Sequence, residues 1–251
     1  MPVKLKRSIL LCIILLSFLQ FNCGKTPVYR VVPVGQLSEW DFGREVVSSQ
    51  DSLGKVTLSF EAVRDNYYVF YLNYQNFGHN SVLLDPAEIY YTSYRDSIDG
   101  NLSASGRGAR ISAVDPELTL LGIERRKNDL EASEGTRLGV NAVVGTIDLV
   151  AAIATIGKKR SSEEVKKEEN EREQRRISEA NARIEYENNM AKMSNEKDYW
   201  QNEVLRKVTV HPDEKEGGYF HLPINKKAGL LRLVVPVDSS LYYFDYRQLK
   251  L

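Results

Sequence analysis

The chain has 251 residues, enough for one large or two small domains with a core of ordinary size, which excludes a bare peptide or linker. Lysine plus arginine number 34 and aspartate plus glutamate also 34, a balance that points neither to a nucleic-acid partner nor to an acidic tail. Fourteen tyrosines stand against three histidines and two cysteines, which leaves little material for metal or nucleophile chemistry, so no catalytic residue, metal site or cofactor is expected.

Residues 1–22 read as an export signal. Lys4, Lys6 and Arg7 precede an apolar run from Ile9 to Leu19, and as a helix that run covers roughly 16 Å, well short of a ~30 Å hydrocarbon core. The stretch Leu19-Gln20-Phe21-Asn22-Cys23-Gly24 then resembles a bacterial lipobox, most closely the relaxed form of spirochaete lipoproteins. Leu19 stands four residues before the cysteine where the commonest pattern has three, and Gln20 and Phe21 are bulkier than the usual small residues. The resemblance implies that Cys23 is the lipid-attachment site and the first residue of the mature chain. Cysteine usage agrees: Cys12 leaves with the signal, so Cys23 is the one thiol left, in an exported chain with no partner to oxidise against. Losing three basic residues and no acidic ones leaves 31 against 34, a charge of −3. Two or three acyl chains hold a protein firmly to a bilayer without any spanning segment.

Residues 23–27 form a short tether, reaching on the order of 15 Å when extended. A first β portion is expected over 28–125. It begins with Val28 to Val34, and its clearest strand alternates Val56, Leu58, Phe60 and Ala62 with Lys55, Thr57, Ser59 and Glu61. Tyr67 to Gln75 is aromatic and β-branched almost throughout and suits a central strand covered on both faces. Asn76 to Ser81 supplies turn chemistry, and another aromatic strand runs from Ile89 to Tyr94. Between Gly100 and Gly108 the chain is rich in glycine and serine, but with no Gly-Lys-Ser or Gly-x-Gly-x-x-Gly it reads as a solvated loop and not a phosphate cradle.

A helical insertion is expected over 126–206. Its first helix, about 138–156, is apolar on a broad face, with Asn141, Gly145, Asp148 and Thr155 gathered on a polar stripe. Asp148 near the middle would cost about 2.5–3.5 kcal/mol in a bilayer centre, so packing on protein is favoured over membrane insertion. The second helix, about 161–206, belongs to a stretch free of glycine and proline from Lys158 to His211. Glu163 with Lys167, Glu168 with Arg172, Glu171 with Arg175 and Glu179 with Arg183 stand acid first at i, i+4, each adding roughly 0.2–0.5 kcal/mol. Ile177 and Ile184 fit a heptad, but Asp198 falls on the same register, so a sustained coiled-coil seam is not expected. The two helices read as a hairpin that breaks near Gly157-Lys158-Lys159-Arg160 and protrudes, bends or finds a partner.

Strand character returns over 207–251, in Val208 to Val210, Tyr219 to Leu222, Leu230 to Val237 and Leu241 to Arg247. These strands are too few for an independent core, so they must complete the sheets begun before the helices. The fold class is therefore mainly β with a helical insertion: a β-sandwich interrupted by a long α-helical hairpin.

Two stretches carry a further resemblance. Leu72-Asn73-Tyr74-Gln75-Asn76, with Val82-Leu83-Leu84-Asp85-Pro86-Ala87-Glu88-Ile89-Tyr90, is similar to the strand–Asn–turn–strand passage of immunoglobulin-like domains in bacterial exported lipoproteins. So is Leu205 to Val210 followed by Pro212-Asp213-Glu214 and Gly217-Gly218-Tyr219-Phe220, although Asp213 stands where that group usually has glycine. The resemblance implies an immunoglobulin-like module of the bacterial cell envelope, lipid-anchored at the outer membrane. Three readings follow. The first is a non-enzymatic interaction module whose hairpin contacts a partner protein or another copy. The second is a membrane-inserting or pore-associated protein using helix 138–156. The third is a surface protein binding carbohydrate or another ligand; Tyr90, Tyr91, Tyr94, Tyr242, Tyr243 and Tyr246 offer the rings for a stacking platform, although core of half-buried strands is the favoured reading of them. His79, His211 and His221 lack metal-ligand spacing, and no Gly-x-Ser-x-Gly elbow is present.

Overall fold

The alternation that marks residues 55–62 becomes one long strand in a pair of facing sheets. The computed structural model describes residues 28–94, 110–154 and 161–251; in the first helix the side chains at 144, 145 and 147–154 are not among those described. The export signal, Cys23 and its tether, the Gly100–Gly108 loop and the helix break at 157–160 lie outside the described residues. In chain order the strands are β1 (Tyr29–Pro33), β2 (Ser38–Asp41), β3 (Arg44–Gln50), β4 (Gly54–Arg64), β5 (Tyr67–Asn76), β6 (Val82–Leu84), β7 (Tyr90–Tyr94) and β8 (Arg110–Ser112). Two helices follow, α1 (Pro116–Ala154) and α2 (Ser162–Asn202), and then β9 (Val208–Val210), β10 (Lys215–Pro223), β11 (Leu230–Val237) and β12 (Ser240–Lys250). One five-stranded sheet has the order β1-β12-β11-β7-β8 and the other β10-β5-β4-β3-β2, while β6 and β9 form a small ribbon. Among the described residues the fold is thus mainly β, with twelve strands in sheets and two helices.

Period-2 burial fixes which side chains meet. Val56 and Leu58 of β4, Tyr68, Phe70, Leu72 and Tyr74 of β5, and Phe220 and Leu222 of β10 face Leu231, Leu233 and Val235 of β11 and Tyr242, Phe244 and Tyr246 of β12 in one buried cluster. Rings cross between the sheets: Phe70 meets Tyr246 edge-on at 5.2 Å between centroids, and Tyr68 meets Tyr91 at 6.2 Å. Burying each such side chain contributes about 1.5–3 kcal/mol, so this cluster is where stability accumulates. The buried tyrosines need partners for their hydroxyls and mostly find them at the rims of the sandwich. Tyr242 donates to Asp51 Oδ1 at 2.9 Å, Tyr91 to the Pro223 carbonyl at 2.7 Å, and Tyr68 to Gln248.

The closing strands do not stack on a finished domain. β10 pairs with β5 along its whole length, from Lys215↔Gln75 to Pro223↔Tyr67, and β11 lies between β7 and β12, which in turn pairs with β1. Each sheet is therefore built from chain on both sides of the helices. Where β5 ends, Asn76 is fully buried and ties three turns together. Its Nδ2 donates to the carbonyls of Asn80 and Val210, its Oδ1 accepts from Gly78 N, and its backbone bonds Asp213 N and Glu214 O. Asp213 has φ +63°, in the left-handed region that glycine enters without strain.

The helical excursion begins earlier than the sequence pattern suggests. α1 starts at Pro116, so the expected boundary at 126 falls inside it, and residues 116–125 belong to the helix and not to the β portion. Asp115 caps this start: its Oδ1 accepts from Glu117 N at 2.8 Å and Leu118 N at 3.2 Å, while Pro116 sits where a missing N–H costs nothing. α2 opens on a full capping box, Ser161 with Glu164. Of the four acid-first pairs, Glu168–Arg172 is formed at 2.8 Å, whereas Arg183 turns to Glu187 at 2.9 Å.

Replacing Asn76 by alanine removes the Nδ2 bonds to the Asn80 and Val210 carbonyls and the Oδ1 acceptor of Gly78 N, which keeps only its bond to the Leu53 carbonyl at 3.1 Å. The expected loss is about 2–3 kcal/mol, seen as a lower urea midpoint at unchanged slope.

Candidate functional site

The part of the molecule that the sandwich does not need for its own core is the helical arm, and its root is where the fold commits most to it. After α2 the chain drops onto β10. Leu205 N donates to the Tyr219 carbonyl at 2.8 Å and Tyr219 N to the Glu203 carbonyl at 2.9 Å, a short parallel bridge between Val204 and Tyr219. Gly218 permits it: a Cβ there would lie 2.7 Å from Leu205 N and 2.9 Å from Leu205 Cα. Val204, Leu205, Leu120 and Ile123 are buried at this junction or in the first turns of α1. Arg206 grips Glu117 with two hydrogen bonds, 2.9 and 2.5 Å, so the end of one helix holds the start of the other.

His221 lies beneath the root. As an outward residue of β10 it is framed by Tyr67, Tyr199 and Trp200, with centroids 6.2, 5.7 and 4.8 Å away. Its Nε2 is 3.2 Å from the Tyr199 hydroxyl, while Nδ1 is buried without a hydrogen-bond partner. Burial, reinforced by the nearby Arg64 charge, lowers its pKa to about 4, so the ring is neutral at pH 7. A neutral imidazole beneath a helix end is a packing element, and nothing in its surroundings equips it to move a proton. Tyr219 extends the aromatic layer, stacking on Tyr199 at 6.4 Å and meeting Tyr71 edge-on at 5.2 Å.

Beyond the root the helices run antiparallel, as the ion pairs show. Glu124 pairs with Lys197 at 2.9 Å and Arg126 with Glu196 at 2.8 Å, so one number rises as the other falls. Further out Arg137 binds Glu134 through two hydrogen bonds of 2.7 and 2.6 Å, which hold the Glu134 carboxyl below its usual range, and the charges of Arg183 and Glu179 act on this pair. α2 has no buried residue from end to end. Val140 of α1 and Ile177 of α2 are about half exposed, as are Leu138, Val143, Val165 and Ile184. The outer arm is thus a helix pair that displays apolar side chains and covers none of them with the sandwich.

The six tyrosines weighed as core against platform divide between core and surface. Tyr91, Tyr242 and Tyr246 are core residues, at most 2% exposed, because odd and even positions of a strand face opposite ways. Tyr90, Tyr94 and Tyr243 point outward, and Tyr90 carries the Arg110 guanidinium 3.7 Å above its ring. Among the described residues no group of three or more His, Cys, Asp or Glu is placed to hold a metal ion, and no helix is long and apolar enough to cross a membrane. Compared with known proteins, the chain matches no family model, no curated protein and no solved structure.

Because the folded pKa of His221 lies below the unfolded value near 6.5, the unfolded chain binds more protons between the two. Stability is full above pH 6.5 and falls as pH drops toward 4, with a limiting slope of about 1.4 kcal/mol per pH unit. His221→Phe is expected to flatten urea-derived stability between pH 6.5 and 5, above the range where carboxylates titrate. An unchanged slope would show that the ring is not held neutral. Gly218→Ala should break the Leu205–Tyr219 bridge and speed proteolysis at 199–206 at least severalfold at neutral pH, with the sandwich still folded by near-UV circular dichroism.

Proposed function

We propose that this chain is a lipid-anchored protein of the bacterial cell envelope, held at the outer membrane through Cys23, whose immunoglobulin-like sandwich presents the helical arm to a partner protein or to a second copy. The observation that carries this reading is the arm itself. Its two helices of 39 and 41 residues, about 58 and 61 Å long at 1.5 Å per residue, expose apolar side chains that the sandwich leaves uncovered. A pair of helices that carries Val140, Val143, Ile177 and Ile184 in the open along its outer half is poorly justified as a stabilising element and well suited as a contact surface. The immunoglobulin-like part draws support from the Asn76 hub and from Asp213 at positive φ, the two places where the sequence resembles the lipoprotein domains. The displaced titrations belong to core tyrosines, to Asp51 where it accepts from Ser240 and Tyr242, to Tyr199 and His221 at the root and to surface ion pairs.

Anchor and arm are tested separately. Labelled palmitate should enter the wild-type chain and not Cys23→Ala, and the natural N-terminus should be an acylated Cys23; a bare thiol or a different start ends the anchor. A photo-crosslinking residue at Val140 or Val143 should give one discrete adduct in intact cells, at twice the mass or with one other protein. Val140→Glu with Val143→Glu should abolish association at Ile177 by at least tenfold in yield. Absence of any adduct from the outer arm would sink the interaction role.

A further inference from the structure

The end of the sandwich from which the tether leaves carries features that the core does not explain. β1 begins there, with Tyr29 paired to Lys250, and so does the loop before β11, whose first residue Leu230 pairs with Arg247. The β2–β3 hairpin turns at the same end, since Asp41 pairs with Arg44 and Arg44 reaches Glu61 near the end of β4. A groove of about 460 Å³ is lined by Val28, Tyr29 and Leu251 on one side and Gly43 and Arg44 on the other, so chain start and hairpin tip are neighbours. Tyr29 also lines a second hollow with Lys226, Lys227 and Lys250.

At the hairpin tip stands Phe42, 100% exposed, with φ +45°, followed by Gly43 at φ +81°. Two-residue turns of this kind favour Asn-Gly or Asp-Gly, and a bulky residue in the left-handed region is strained. Phe42 therefore gains nothing from the turn and nothing from burial. Trp40, one residue before the tip strand ends, is 66% exposed. Aromatic side chains beside lysines are the composition that binds a bilayer interface with anionic headgroups. The acids at this end are Glu39 and Asp41 beside Trp40, Glu45, which accepts from Ser38, Glu61, paired with Arg44 at 3.2 Å, and Asp65 in the β4–β5 turn, set against Arg30, Arg64 and the three lysines.

We infer that this end is a membrane-docking face: Phe42 and Trp40 enter the interface of an anionic bilayer while Lys226, Lys227 and Lys250 face its headgroups. The inference rests on the lipid-anchor reading, because the five residues from Cys23 to Val28 reach at most about 17 Å and hold this end against the membrane that carries the anchor. Docking would orient the body on the bilayer, where an acyl anchor alone leaves it free to tumble.

The test uses the lipidated chain with Trp200→Phe, which leaves Trp40 as the one remaining tryptophan, reconstituted in vesicles of phosphatidylcholine with 30% phosphatidylglycerol and with bromine on the acyl chains near the interface. Trp40 emission should fall at least twofold relative to unbrominated vesicles and resist iodide. Phe42→Ser, or Lys226→Glu with Lys227→Glu and Lys250→Glu, should restore most of it. If the protein co-floats with vesicles yet Trp40 stays bright and fully open to iodide, the docking face is wrong and the anchor stands. Protection from iodide without quenching by bromine means a protein covers the tip, which also overturns the inference. If the chain fails to co-float, the anchor reading fails instead. The face is then judged on unlipidated Cys23→Ser chain, which must bind anionic vesicles at least fivefold better than phosphatidylcholine alone at low salt, and equal or no binding to both overturns it.

Discussion

The pairing of β10 with β5, and of β11 between β7 and β12, is the constraint from which the architecture follows. A sheet whose central ladder joins chain from before and after an excursion forces that excursion to leave and return at one place. The gate is narrow. Val114 N bonds the His221 carbonyl as the chain departs, and Leu205 N bonds the Tyr219 carbonyl as it returns, two residues away on the same strand. Next to the second bond β10 has no room for a Cβ at residue 218. The aromatic layer of Tyr199, Trp200 and His221 then fills the space that the two helix ends leave over the outer face of the sheet.

Outside that gate the balance of forces changes. The sandwich is stabilised by burial, with Leu58, Leu72, Val56 and Val235 wholly removed from water. The arm has little burial to draw on and leans on local terms: the Asp115 cap, the Ser161–Glu164 capping box, and i, i+4 pairs worth a few tenths of a kcal/mol each. Local terms of this size sustain long helices only when summed over many turns. That is why the arm has some 40 residues per helix with no proline inside α2 and charges along nearly every turn. Length here is a condition of helicity as well as of reach.

What the sequence discloses follows the same division. β4, with one face wetter than the other, is legible because alternation is a direct record of burial, β11 because a leucine- and valine-rich run buried on both faces reads as a strand, and β5 because of its aromatic density. β2 leaves no such record: all four of its residues are exposed, so Ser38–Asp41 has no apolar face to show. The start of α1 is signalled by Asp115-Pro116-Glu117, a cap, a first-turn proline and an acid, but the charged run from Glu124 to Asp129 blurs the helix that follows. His221 is invisible in sequence for a different reason. Its partner Tyr199 is twenty-two residues away in another element, and only the outward parity of β10 together with the position of the gate brings them together. Cys23 lies outside the described residues, so the anchor stands on the sequence pattern alone.

The split between root and shaft also sets what the arm can do. Exposed ion pairs such as Arg126–Glu196 and Lys197–Glu124 contribute about 0–1 kcal/mol apiece and are screened beyond about 8 Å at physiological salt, so they choose the register of the helix pair without locking it. The root is different in kind: backbone bonds, buried Val204 and Leu205 and a neutral ring under Tyr199 and Trp200 depend little on ionic strength. An arm fixed firmly at its base and held loosely along its shaft can exchange contacts at its outer half, where Leu138, Val140, Val143 and Ile177 are exposed, without disturbing the sandwich below. A partner helix laid on that half would gain apolar burial while displacing only weak surface pairs. Association there, on the proposed reading, would be coupled to the arm and decoupled from the stability of the body.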